Sequence, residues 1–174
     1  MNQALFTSSC SDWETPPEVY GPVVSEFGLT LDAAASHLNA ILPVYYSATA
    51  DGLQQAWNVP TWCNPPYGHG AAGHWVEKAA AESRAHRVPV VMLLPARTDT
   101  RWWHRVVIPN YREIRFFAGR VQFRIGGEPI RDKHGRAVGA PFPSVLVVFY
   151  PRRFLWRRRI VSVKAPRTTM EDTE

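Results

Sequence analysis

Asn64, Pro65, Pro66 and Tyr67, in the stretch TWCNPPYGHG (61–70), place two carbonyl acceptors and a flat ring directly after a short apolar run. The prolines lack backbone N–H groups and hold φ at about −65°, so neither a sheet ladder nor a helix interior continues through them. Pro66 also drives Pro65 toward the extended region, which leaves the Pro65 carbonyl as an acceptor unused by local secondary structure. Asn64 adds a side-chain carbonyl and Tyr67 a stacking face. Held on a stiff strand end, such a set suits a planar ligand that bears an exocyclic amine.

The elements that must position these residues read as strand and helix in alternation. FGLTLD (27–32) reads as a strand ending at Asp32, with AAASHLNA (33–40) as a helix that Asp32 caps. VPTWC (59–63) is a second strand, stopped by the prolines. HWVEKAAAESRAH (74–86) is rich in helix formers, with Glu77 near its start and Arg84 near its end, as the helix dipole prefers. VPVVMLLP (88–95) is the continuous apolar run of a strand covered on both faces. A helix over 99–108, strands over 112–127 and 144–150, and a glycine-bearing hairpin tip between those strands complete the pattern.

The alternation predicts an α/β fold with an open, mostly parallel sheet. Ligands of such sheets bind beyond the carboxyl ends of the strands, so Asp32 and Asn64 fall at one crevice. ARTDTR (96–101) follows the buried strand into that crevice. Arg97, Asp99 and Arg101 are therefore candidates for phosphate or base contacts, and Asp99 reads equally as a helix cap.

At 174 residues and 45% hydrophobic, the chain fits one domain with a sizeable core. No apolar run nears the roughly 20 residues of a membrane span, and the first ten residues lack the pattern of a signal peptide. A cytoplasmic protein without a membrane partner is expected. Cys10 and Cys63 are too few for a disulfide framework. His69, His74 and Cys63 lack metal-ligand spacing, so no metal is expected. GHGAAG (68–73) matches a dinucleotide fingerprint but lacks the acidic residue expected about 20 positions later. It reads instead as a flexible loop that covers the bound ligand, or as a mere surface connection.

Basic residues outnumber acidic ones by 20 to 15, and the excess concentrates after residue 151. Arg157, Arg158 and Arg159, with Phe154 and Trp156 interleaved nearby, form a pattern that favours nucleic-acid backbone binding. The bland alternative is a charged terminal strand or helix that stays solvated. The chain divides on this reading into a domain over 1–151 and a basic extension over 152–174 whose last residues are disordered.

NPPY after a strand resembles the motif of S-adenosylmethionine-dependent amino methyltransferases, in particular the phage and prophage Dam-type enzymes that methylate N6 of adenine in DNA. WETPPEVY (13–20), LTLDAAA (29–35), DGL (51–53) with Trp57, CNPPYG and LLPARTDT are similar to that family in type, order and spacing. The likeness runs from about Ser11 to Tyr150. It implies a class I methyltransferase fold with a shortened first half, S-adenosylmethionine as cofactor, and double-stranded DNA as partner, with the target base flipped out. It further implies catalytic roles for Asn64, Pro65, Pro66 and Tyr67. Trp13, Thr15, Pro16, Asp32, Ala33, Ala34, Asp51 and Asn64 fall at the cofactor, and Arg97, Arg101, Arg157, Arg158 and Arg159 at DNA.

Two departures stand out. Alanines replace the usual glycine-rich turn after the first strand, and no Asp or Glu between Ala33 and Ala50 is present to hold the cofactor ribose. Asn39 or a tyrosine is left as its substitute. The alternatives to the DNA reading are an RNA or protein-amide methyltransferase and a non-catalytic nucleic-acid-binding protein on this fold. Target sequence and oligomeric state are not legible.

Overall fold

Pro16 and Pro17 begin a helix. In the computed structural model, which describes residues 13–68, 71–150 and 157–166, Pro16 is the extended N-cap of α1 (Pro17–Phe27), where a proline at the first position forfeits no helical hydrogen bond. Gly28 ends α1 in the left-handed region, φ 61°, and its N–H bonds the Val24 carbonyl. The strand expected over 27–32 is thereby reduced to β1 (Leu31–Asp32), since Phe27 belongs to the helix.

The helix expected over 33–40 does not form. Asp32 carboxylate oxygens accept the N–H groups of Ala34 (3.4 Å) and Ile41 (3.2 Å), and Asn39 Oδ1 accepts the backbone N–H (2.5 Å) and the hydroxyl (3.1 Å) of Ser36. Such short-range side-chain bonds compete with the helical ladder and fold the segment into turns. It leads to β2 (Val44–Tyr45).

The central elements follow the sequence pattern more closely. β3 (Thr61–Cys63) ends at Asn64, and α2 (Ala71–His86) starts three residues before His74. β4 (Val90–Pro95) is buried along its whole length. The expected 99–108 helix is a π-helical turn at Trp103–Val107 that passes into α3 (Ile108–Asn110). The expected 112–127 strand is two: β5 (Tyr111–Ala118) stops before Gly119, φ 105°, and β6 (Arg124–Ile125) pairs with β7 (Glu128–Pro129) across Gly126 and Gly127. β8 (Ser144–Phe149) and β9 (Arg159–Lys164) complete the chain.

Seven strands form one sheet in the order β2-β1-β3-β4-β8-β5-β9. β8 runs antiparallel to both of its neighbours, and every other pairing is parallel. Only two-residue strands lie on the β1 side, as the shortened first half anticipates. β9, within the basic 152–174 stretch, is the edge strand beside β5.

The period-two alternation of β4 explains why its sequence is apolar without interruption. Val90, Met92 and Leu94 pack with Trp57, Val76 and Val107 on the α2 face. Val91 and Leu93 pack with Val19, Val23 and Phe123 on the α1 face. Both faces are covered, and the carboxyl ends of β1, β3 and β4 open on one side. No helix among the described residues is long and apolar enough to cross a membrane.

Candidate active site

At the carboxyl ends of β1, β3 and β4 lies a cleft of about 840 Å³. Asn64, Pro65, Pro66 and Tyr67 all line it. The Asn64 amide is fixed from two sides. Its Nδ2 donates to Thr15 Oγ1 at 3.1 Å, and the Tyr67 hydroxyl donates to its Oδ1. That hydroxyl also lies 3.1 Å from the Leu93 carbonyl on β4. An amide oxygen has two lone pairs, so one remains for the cleft. No hydrogen bond among the described residues reaches the Pro65 carbonyl. Burial pushes the Tyr67 phenol well up from its ordinary range, which keeps the hydroxyl a donor.

The expected stacking role of Tyr67 meets a different geometry. Its ring stands edge-on to Phe142, with centroids 5.4 Å apart and planes at 90°, and Phe142 stacks on Trp13 at 6.2 Å. Trp102, Trp103, Phe116, Phe117 and Phe123 do not line the cleft; Phe142, Trp13, Trp75 and Tyr46 do. Phe142 lies between two prolines just ahead of β8, a signal for a fixed loop but not for its position in space.

The DGL stretch reaches the cleft through a close approach. A Cβ on Gly52 would overlap the Ala33 carbonyl at the end of β1, so only glycine lets the two loops touch. Trp57 Nε1 donates to the Gly52 carbonyl at 2.9 Å, and its own N–H is held by Glu82 of α2 at 2.7 Å. The tryptophan after DGL thus has a structural task, pinning the Gly52 carbonyl. Asp51, at φ 50°, accepts the Leu53 N–H with Oδ1 (3.2 Å) and lines the cleft.

Asp32 does not line the cleft. It is 2% exposed, beneath the 33–41 turns, and has no helix to cap. Burial pushes its carboxyl up to about 6, against the lowering effect of the Ile41 and Ala34 N–H groups. Ala33 is fully buried beside it, whereas Ala34 lines the cleft. Pro16 caps α1, and Trp13 and Thr15 are carried over Asn64 by a bridge between Glu14 and Arg124. The Glu14 carboxylate further accepts the Gly126 and Gly127 N–H groups at 2.7 and 2.9 Å.

Of the five arginines expected at DNA, Arg97 lines the cleft. Arg101 is exposed at the start of the helical segment after β4, where Thr100, rather than Asp99, makes the turn bond, to the Arg97 carbonyl at 2.8 Å. Arg157, Arg158 and Arg159 are not brought to the cleft. They open β9, which is parallel to β5, and so sit at the opposite end of the sheet. Residues 69–70, in the expected covering loop, fall outside the described residues, as do 151–156 and 167–174. Ser36, His37, Asn39, Ser47 and Thr49 also line the cleft. Only Asn39 had a sequence signal, as a polar residue where an acid was expected.

A stretch of 94 residues is 36% identical to the DNA N-6-adenine-methyltransferase of Escherichia phage T1, covering 52% of this chain and 38% of that protein. The fold matches a solved class I S-adenosylmethionine-dependent methyltransferase-type structure from Listeria monocytogenes, with a TM-score of 0.53 over 90% of this chain and 67% of that one, at 10% identity. The model of the DNA N-6-adenine-methyltransferase (Dam) family matches residues 4–174, and the chain belongs to that family.

Proposed function

We propose that this protein transfers the methyl group of S-adenosylmethionine to N6 of adenine in double-stranded DNA, and that it acts on a flipped-out base. The observation that carries the reading is the Asn64 amide, locked by Thr15 and Tyr67 in the cleft lining with one acceptor lone pair of its oxygen left over. Family membership and the phage T1 relative support it and fit a phage or prophage origin in a bacterial cytoplasm.

The cleft residues fit the cofactor. Its volume lies in the upper part of the usual ligand range, room for a nucleoside and a second planar group. Among the described residues Asp51 is the one carboxylate lining it, suited to an exocyclic amine, and Trp75 and Tyr46 supply apolar walls. Trp13, Thr15, Pro16, Asp32, Ala33 and Ala34 shape the remaining surface, directly or from beneath. When bound, S-adenosylmethionine supplies an electrophilic methyl group with a good leaving group already in place.

The chain's own residues deal with the nucleophile. Adenine N6 is weak because its lone pair is delocalised into the ring. The Asn64 Oδ1 and Pro65 carbonyl accept its two hydrogens, which favours a tetrahedral nitrogen and aims its lone pair. Pro66 keeps the loop rigid, and Tyr67 holds the amide so that no reorganisation is needed during transfer. A proton is then lost from N6 after transfer, so no strong base is required beforehand. The amine of a stacked adenine is unreachable in this geometry, hence the flipped base, which rests against Tyr67 and Phe142. Arg97 and Arg101 hold flanking phosphates, and the β6–β7 arm beside Trp13 meets the duplex.

Transfer of labelled methyl to unmethylated duplex DNA, with RNA as a parallel substrate, tests the proposal. Label recovered as N6-methyladenine in DNA, reduced at least a hundredfold in Asn64→Ala with cofactor affinity kept, is expected. Near-normal turnover by that variant would refute the role of Asn64, and label in RNA alone would redirect the substrate.

A further inference from the structure

The end of the sheet opposite the cleft gathers arginines from elements far apart in sequence. Arg84 lies near the C-terminus of α2, Arg87 in the turn that follows, Arg112 near the start of β5, and Arg157, Arg158 and Arg159 at the start of β9. All stand at the amino ends of the parallel strands. The length of β4, roughly 17 Å, separates them from the cleft.

Local acids do not neutralise this pole. Glu82 accepts Lys78 Nζ at 2.9 Å and lies 3.3 Å from His86 Nε2. Glu26 and Glu113 both take Arg115, with Arg159 3.9 Å from Glu113. Arg84, Arg87 and Arg157 are exposed and have no carboxylate partner among the described residues.

The pole is also shaped. Arg84 and Arg158 line a hollow of about 250 Å³ with Asn110, Tyr111 and Tyr150, and among the described residues no acidic one lines it. Arg158 is braced there: its guanidinium donates to the Ile108 carbonyl at 2.9 Å and to that of Pro109, and lies 4.9 Å from the Tyr111 ring centroid. Arg84 is held more loosely, 3.4 Å from Asn110 Oδ1. A braced guanidinium beside a loosely held one, over a concavity with no acid among its described lining residues, offers charge and N–H donors suited to a phosphodiester.

We infer that this pole is a second DNA-backbone contact, so that one molecule engaged with a duplex at its cleft can hold another duplex segment at its far end. The choice of DNA as the polyanion rests on the proposed function; the charge and shape do not. Binding here is to phosphates, sequence-independent and steeply salt-sensitive.

The test is a bridging assay on the full chain. Biotinylated duplex on beads is loaded with protein, and capture of a second, fluorescent duplex is followed against salt. Wild type is expected to capture it. Arg84→Gln with Arg87→Asn, the latter suited to the left-handed backbone at 87 (φ 57°), is expected to capture at least fivefold less while methylating a short duplex normally. Arg157→Gln provides a reading from a separate element should the double variant fold poorly. Bridging by the variants equal to wild type, as self-association alone would give, overturns the inference. So does a wild type that holds one duplex and captures no second. Failure of the wild type to bind any duplex overturns the inference too, and in addition refutes the DNA reading of the cleft.

Discussion

Asp32 illustrates how a carboxylate can shape a cleft without lining it. It bonds the N–H groups at both ends of the 33–41 segment, five residues of which line the cleft. The cost is electrostatic. Its folded-state pKa, about 6, lies above the ordinary 3.8, so the folded protein binds this proton more tightly than the unfolded chain. Its contribution to stability is therefore full below about pH 4 and is lost as pH rises through 6. Two pH units correspond to about 3 kcal/mol. Asp32→Asn keeps one of the two acceptors and removes the titration, so its stability relative to wild type is expected to rise between pH 4 and pH 7.5 by up to that amount. Urea unfolding at both pH values measures it, and a difference that does not change with pH would show that the Asp32 proton is not linked to folding. The LDAAA stretch gave this residue its place, at a strand end, but not its task, because the partners lie across a turn with no regular pattern.

Among the elements, the loop over 47–57 depends on a backbone contact more than on any side chain. Gly52 abuts the Ala33 carbonyl, and its own carbonyl is pinned by Trp57. Gly52→Ala must push the loop off β1. We expect a loss of at least about 2 kcal/mol in stability and a weakening of S-adenosylhomocysteine binding of tenfold or more. Calorimetric titration with that ligand checks this; unchanged affinity would remove Asp51 and its loop from the cofactor site. The N-terminal segment is an equally composite device. Thr15 reaches Asn64 only because Glu14 is fastened to the β6–β7 turn through two backbone N–H groups. WETPP was legible as a motif, but not its dependence on residues more than a hundred positions away.

Across the molecule, charge and architecture are entangled in the C-terminal stretch. Residues 152–174 read as a basic extension, yet Arg159–Lys164 completes the sheet, and Arg158 ties the crossing chain to the Ile108 and Pro109 carbonyls. Removing 152–174 would expose the edge of β5 and strip those bonds. Truncation is thus expected to lower the melting temperature by several degrees, whatever it does to DNA binding. A truncated protein with unchanged melting would show that β9 adds nothing to the fold. Charge-neutralising substitutions, with the chain intact, are the cleaner probe of the salt slope.

The apolar run of β4, the proline stop after β3 and the helix formers of α2 settled the α/β class and the place of Asn64, because strand burial, ring geometry and helix propensity are local properties carried by neighbouring residues. The identity of NPPY and its companions settled the family. What needed three dimensions was every relation between distant segments: Thr15 and Tyr67 on the Asn64 amide, Phe142 in the cleft, Gly52 against Ala33, and the arginines of β9 at the far end of the sheet. Strand order and direction fix those relations, and they arise from long-range pairing that no local pattern in the chain encodes.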